Sequence, residues 1–182
     1  MLKTRCLLLI LRPFVFGVLV HSAACSEEHP ANGGQSFALK TLGEIQDAQE
    51  EFRKKDLDEN GQLDYWRKDI AGLYYIPHNE GQIRLIRLST ALADKAPIVL
   101  PPSASKERVP QVGYWFEALL FEEEKAPNLD VFAVQATPDV SAPRGSLTFI
   151  ADRDHIYQKD LQRTSLKRWP RDPVKDGWTL VR

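Results

Sequence analysis

The chain is poor in the residues that carry the commonest chemistries. It holds two cysteines, Cys6 and Cys25, and four histidines. Cys6 lies in an apolar leader-like stretch, so beyond that stretch Cys25 has no partner for an intramolecular disulfide. The fold must therefore rest on packing, although an exported protein has access to disulfides. His29, His78 and His155 stand at no spacing that pairs them with another His or Cys as metal ligands, and they read as surface histidines. Ser141, Ser146 and Ser165 lack the G-x-S-x-G setting of a nucleophile elbow. Neither charge dominates: 24 Lys and Arg face 25 Asp and Glu, for a formal net charge of -1. This excludes the basic footprint of a nucleic-acid binder and the polybasic patch that attracts anionic lipid. No uninterrupted apolar run reaches the roughly 20 residues of a membrane span. The longest run, Leu7 to Val20, is broken by Arg12-Pro13, and Arg12 near its middle would cost roughly 2.5–3.5 kcal/mol in a bilayer. There is no internal repeat.

Hydrophobic residues make up 43% and charged residues 27% of the 182 positions. That balance fits one globular domain with its own core. Residues 1–24 have the order of a secretory signal: a basic start with Lys3 and Arg5, the apolar run, then Ser22, Ala23 and Ala24. Losing the leader's three cations leaves 21 basic against 25 acidic residues. Ser22-Ala23-Ala24-Cys25 resembles a bacterial lipoprotein signal, and the resemblance implies lipid on Cys25. That family usually carries Leu where Ser22 stands, and ordinary cleavage after a small-x-small site is the other reading. Membrane association is then expected only through this anchor. Residues 25–35, rich in Gly, Pro and Glu, read as a flexible tether, and 36–182 as one domain.

Ser36 is a fitting helix cap. Ala38, Leu42, Ile45, Ala48 and Phe52 follow at steps of three and four, which predicts a helix over 37–55 with one apolar face. Leu85, Leu88 and Leu92 predict a second, short helix within 83–93. The period then changes to two. Val112, Tyr114, Phe116, Ala118 and Leu120 alternate with their neighbours, and strands are expected over 112–120, 130–136, 146–151 and 156–159. The turn Asp152-Arg153-Asp154-His155 joins the last two. Trp169 and Trp178 sit in an irregular tail that is expected to close one edge of the sheet. The fold class is α+β: a long amphipathic helix packed on an antiparallel meander of about four strands.

This layout resembles the heads of type IV pilins and pseudopilins. More closely, the chain is similar to a group of exported bacterial proteins of unknown function with such heads. The likeness rests on Phe52-Arg53 running into an Asp-rich loop, Asp69-Ile70-Ala71-Gly72-Leu73-Tyr74, Gly113-Tyr114-Trp115-Phe116, Thr148-Phe149-Ile150 and Ile156-Tyr157-Gln158-Lys159-Asp160-Leu161. Pilins keep an uninterrupted apolar helix with a Glu near its start, and Arg12-Pro13 breaks that pattern here. The resemblance therefore implies a fold and not polymerisation.

The most informative chemistry lies in Asp56-x-Asp58-x-Asn60-Gly61-x-x-Asp64, which resembles an EF-hand calcium loop. Calcium takes 6–8 oxygens, and alternate side chains on a tight loop can converge on one centre. Asp56, Asp58 and Asn60 supply side chains, Gly61 the sharp turn, Gln62 a carbonyl and Asp64 a ninth-position ligand. Arg67 stands where the motif wants a bidentate Glu, so any site is weak. The alternative is an acidic, solvated turn. Glu122, Glu123 and Glu124 read as a solvated loop, and Lys159-Asp160 as an edge charge pair. Tyr65, Trp66, Tyr74, Tyr75, Trp115, Trp169 and Trp178 serve either as packing or as a patch for a glycan or peptide. Two functions compete: an envelope binding or assembly module whose partner is a protein or glycan, and a small hydrolase using carboxylates or a metal. A sheet carboxylate facing the loop's acids in a deep cleft would favour the second.

Overall fold

A computed structural model describes residues 32–78, 81–96, 107–121, 129–143 and 146–182. The signal segment, Cys25, most of the tether with His29, and Glu122 to Glu124 lie outside the described residues. The class is α+β. Helix α1 spans Asn32–Lys55. A 3₁₀ turn, Ala71–Tyr74, precedes a small hairpin of β1 (Ile76–His78) and β2 (Gly81–Ile83), and helix α2 covers Leu88–Leu92. The main sheet holds β3 (Tyr114–Ala118), β4 (Val134–Pro138), β5 (Thr148–Ala151), β6 (Ile156–Lys159) and β7 (Thr179–Leu180), in that spatial order. Every neighbouring pair is antiparallel. No described helix is long and apolar enough to cross a membrane.

The sheet has two covered faces. Ala38, Leu42, Ile45, Ala48 and Phe52 of α1 are buried against Tyr114, Phe116, Val134, Ala136, Phe149, Ala151 and Ile156. The period of two sends the alternate side chains the other way. There Leu119, Ala133 and Ile150 pack with Trp169 and Trp178, flanked by Phe121, Tyr157, Leu161 and Leu166. The tryptophans thus lie across the face opposite α1 rather than along an edge. The edge beyond β6 is closed by β7, which pairs Tyr157 with Leu180 and Gln158 with Thr179. Gln135, fully buried in β4, fastens the tail strap. Its amide donates to the Leu166 carbonyl at 2.7 Å and its oxygen accepts the Leu166 N–H at 2.9 Å.

Five boundaries differ from the sequence reading; the third strand begins at Thr148 rather than Ser146, and the other four differ for tertiary reasons. Helix α1 begins at Asn32, so Ser36 lies inside it, and 32–35 belong to its first turns rather than to a tether. Gly34 suits that turn because a Cβ there would stand 3.1 Å from the Val112 carbonyl oxygen and 3.5 Å from the Tyr114 ring. The leucine pattern of 83–93 is only partly helical: Ile83 pairs with Ile76 in the hairpin, and the Leu85 N–H donates to Leu73 O at 2.9 Å. Strand β3 stops short of Val112 and Leu120, which are 55% and 59% exposed. The second strand lies further along than expected, at Val134–Pro138, where it pairs with both β3 and β5. The Asp152–His155 turn forms as read, with the Asp152 carboxylate accepting the N–H groups of Asp154 and His155 at 2.9 and 2.7 Å.

Candidate functional site

Helix α1 ends by handing the chain to the Asp-rich loop. The Leu57 N–H reaches Phe52 O at 3.3 Å and the Asp56 N–H reaches Arg53 O at 3.4 Å. Asp56 adopts a left-handed backbone, φ 46°. This is the Schellman arrangement, with Asp in the position Gly usually takes. The Asp56 carboxylate then accepts the Asn60 N–H at 3.2 Å and the Gly61 N–H at 3.0 Å. Gly61 makes the sharp reversal at φ 79°, a conformation open to Gly at little cost.

That fold of the loop draws three of the predicted ligands together. The Asn60 side-chain amide donates to Asp58 Oδ2 at 2.9 Å and reaches Asp64 Oδ2 at 3.4 Å. Asn60 Oδ1 accepts the Gln62 N–H at 2.7 Å. Asp64 Oδ1 is buried and has no hydrogen-bond partner. Asp58 is exposed as a residue, yet partial burial of its carboxyl, then the charges of Asp64 and Asp56, push its pKa above the usual carboxylate value. Like charges are therefore held close, with an amide N–H₂ standing where a cation would relieve them. Asp56 itself is engaged by backbone N–H groups, and Gln62 is exposed. No three His, Cys, Asp or Glu side chains among the described residues form a metal-binding group.

A cavity of about 420 Å³ adjoins the loop. Asp58, Asn60 and Asp64 line one side, Phe52, Trp66, Leu120 and Leu129 give it apolar surface, and Arg67 and Lys68 complete the wall. The Arg67 guanidinium stands over the Phe121 ring at 6.0 Å. Sequence reasoning missed how firmly Trp66 is set. Gln49, 2% exposed on α1, donates to Trp66 O at 2.6 Å and accepts the Trp66 N–H at 3.0 Å. The indole Nε1 donates to Asp69 Oδ1 at 3.1 Å, Phe52 meets the ring edge-on at 5.8 Å, and Lys68 Nζ lies 4.9 Å over it. Buried Gln at a helix position otherwise apolar was the one readable signal.

A second cluster pins the loop's exit. The Tyr65 hydroxyl donates to Glu50, Arg153 Nε lies 3.4 Å from Glu50, and Arg53 bonds Asp130 at 2.8 Å and Leu63 O at 2.9 Å. The Tyr65 hydrogen bond holds Glu50 below its ordinary pKa, while burial and Glu50 push Tyr65 up. Of the other aromatics, Trp115 donates to Asp139 at 2.9 Å, and Tyr74 and Tyr75 pack edge to face at 5.7 Å. Lys159 donates to the Asp176 carbonyl rather than pairing with Asp160. Comparison with known protein families, curated proteins and solved structures finds no match.

Proposed function

We propose that this chain is an exported cell-envelope binding or assembly module, anchored by lipid on Cys25, with a pseudopilin-like head and a calcium ion in the loop from Asp56 to Asp64. The observation that carries the reading is the loop's geometry. Asp58, Asn60 and Asp64 are drawn to one centre, and a buried Asp64 oxygen lacks a donor. A divalent cation satisfies both the oxygen and the repulsion. Calcium suits it better than magnesium, which demands near-ideal octahedral geometry. Asp56 and the Gln62 carbonyl are within the same turn, and water supplies the remaining ligands. With Arg67 at the twelfth position the affinity falls in the range of extracellular modules, about 10⁻⁴–10⁻³ M.

Bound calcium would fix the end of α1 against Tyr65 and Trp66 and so set the wall of the adjoining cavity. The helix laid across an antiparallel sheet supports the pseudopilin-like head. Binding is favoured over hydrolysis because the loop's acids face Leu120, Leu129, Arg67 and Lys68 in that cavity, with no described sheet carboxylate among its lining. The test is thermal unfolding in millimolar calcium against chelator. Wild type should gain about 1.4 kcal/mol at ten times Kd, and Asp58→Ala should lose most of that gain. Equal shifts in both proteins, no shift, or an equal response to magnesium would sink the calcium assignment. For the anchor, Cys25→Ser should move the protein from membrane to soluble fractions. A wild type already soluble with a free Cys25 thiol would refute it.

A further inference from the structure

The end of the domain where α1 begins carries apolar side chains turned to solvent. Val109 is 49% exposed, Val112 55% and Val140 81%. They lie on adjoining segments. The Asp139 N–H donates to Gly113 O at 2.8 Å, and a Cβ on Gly113 would touch Ala142 at 3.4 Å. The same turn meets the helix start, since a Cβ on Gly34 would stand 3.1 Å from Val112 O.

Val112 is the anomaly. It occupies the left-handed region at φ 48°, followed by Gly113 at φ 79°. Gln111 and Tyr114 exchange backbone hydrogen bonds of 2.8 and 3.0 Å across this two-residue turn. Asn-Gly is the favoured occupant of such a turn, and a β-branched residue there is strained. Its side chain makes no compensating burial. Strain kept at an exposed tip points to function.

Resting on the lipid-anchor reading above, we propose that this pole, with Val109, Val112 and Val140 at its rim, is the surface by which the domain lies against the lipid bilayer. The length of chain before α1 names the occupant. Six residues lie between Cys25 and Asn32, seven steps of chain that reach at most about 25 Å. Lipid on Cys25 therefore holds this pole at the membrane surface. The polar groups fit that position. Trp115 is half-buried beside the rim and donates to Asp139, whose carboxylate also accepts the Ser141 N–H and hydroxyl at 3.1 and 2.9 Å. Arg163 reaches the rim through a 2.6 Å bond to Ala142 O, a cation at the level of the head groups. The Asp-rich loop sits at the other end of α1, where Arg53 bonds Leu63 O. From Gly34 to Arg53 the helix rises about 28 Å, so the loop and its cavity face away from the bilayer.

The test compares amide hydrogen exchange of the protein on vesicles of phosphatidylethanolamine and phosphatidylglycerol with that of Cys25→Ser in solution. Lipidated protein is reconstituted directly. If mass spectrometry finds a free Cys25 thiol, that thiol is coupled to a maleimide-bearing lipid. Segments 109–113 and 139–142 should exchange severalfold more slowly on vesicles, and 57–63 should not change. Val112→Asn with Val140→Ser should restore the solution rates. Unchanged rates at the valine turns, or equal slowing at 57–63, would overturn the proposal. Unchanged rates with lipidated Cys25 leave the anchor standing and remove only this surface. Slowing on a coupled free thiol removes the anchor and supports the surface.

Discussion

Gly72→Ala should be far more costly than a glycine-to-alanine change in a short helix normally is. A Cβ built on Gly72 lands 2.2 Å from Trp66 Cε2 and Cζ2 and 2.3 Å from Nε1, far inside any real contact. The backbone of Gly72 is not left-handed, so the whole cost is steric. The indole cannot retreat freely. Gln49 holds its backbone through two hydrogen bonds, Asp69 Oδ1 holds its Nε1, and Phe52 backs its edge. Asp69 Oδ1 also accepts the Gly72 N–H at 2.6 Å, so moving the 3₁₀ turn instead breaks that bond. Overpacking typically costs 1–3 kcal/mol, and one lost hydrogen bond adds about 1. We expect about 2–4 kcal/mol in urea unfolding followed by circular dichroism. The decisive comparison is Trp66→Ala. That change costs about 3–5 kcal/mol by itself, but it removes the obstacle. On that background Gly72→Ala should be neutral or stabilising by a few tenths to about 1 kcal/mol, through reduced unfolded-state entropy. A Gly72→Ala cost below about 0.5 kcal/mol, or the same cost in both backgrounds, would refute the packing of Trp66 on Gly72.

Val112→Asn should raise stability by about 1 kcal/mol, because Asn tolerates the left-handed turn; an unchanged or lower urea midpoint would show that the turn is unstrained. Phe52→Ala and Phe149→Ala, at 1% and 0% exposure, should each cost about 3–5 kcal/mol, and a loss under about 1 would misplace the core. Asp94 is fully buried, and burial pushes its pKa up to about 6 against the pull of N–H donors from Ala71, Ala96 and Ile70 at 2.8, 2.8 and 2.6 Å, with Asp69's charge adding to the rise. A folded pKa above the unfolded value of 3.8 means that stability from this group falls as pH rises from about 4 through 6, by about 3 kcal/mol in all. Asp94→Asn, which cannot ionise, should flatten this dependence, so that the variant loses less stability than wild type as pH rises from about 4 through 6. An unchanged pH profile in the variant would clear Asp94 of the effect.

Local periodicity and spacing decided what the chain forms within each stretch. The face of Ala38, Leu42, Ile45, Ala48 and Phe52, the alternation about Tyr114 and Phe116, and the Asp152–His155 turn follow from helical and strand geometry over a few residues. So does the Asp-rich loop, because a left-handed Asp56 and Gly61 with oxygens at alternate positions is a short-range arrangement. What lies between stretches was settled only by tertiary contact. Ser36 had every local property of a cap, yet the close approach of Val112 and Tyr114 carries the helix back to Asn32. Ile83 was drawn from a helical pattern into a strand by Ile76. The tail's tryptophans found a sheet face whose existence no local pattern records, and Gln135 fastened them through Leu166, 31 residues away. Gln49 and Gly72 shape the candidate site by touching Trp66 from different elements. The physical reason is one of range: propensity and periodicity act over a turn or two of chain, while burial is decided by which surfaces meet.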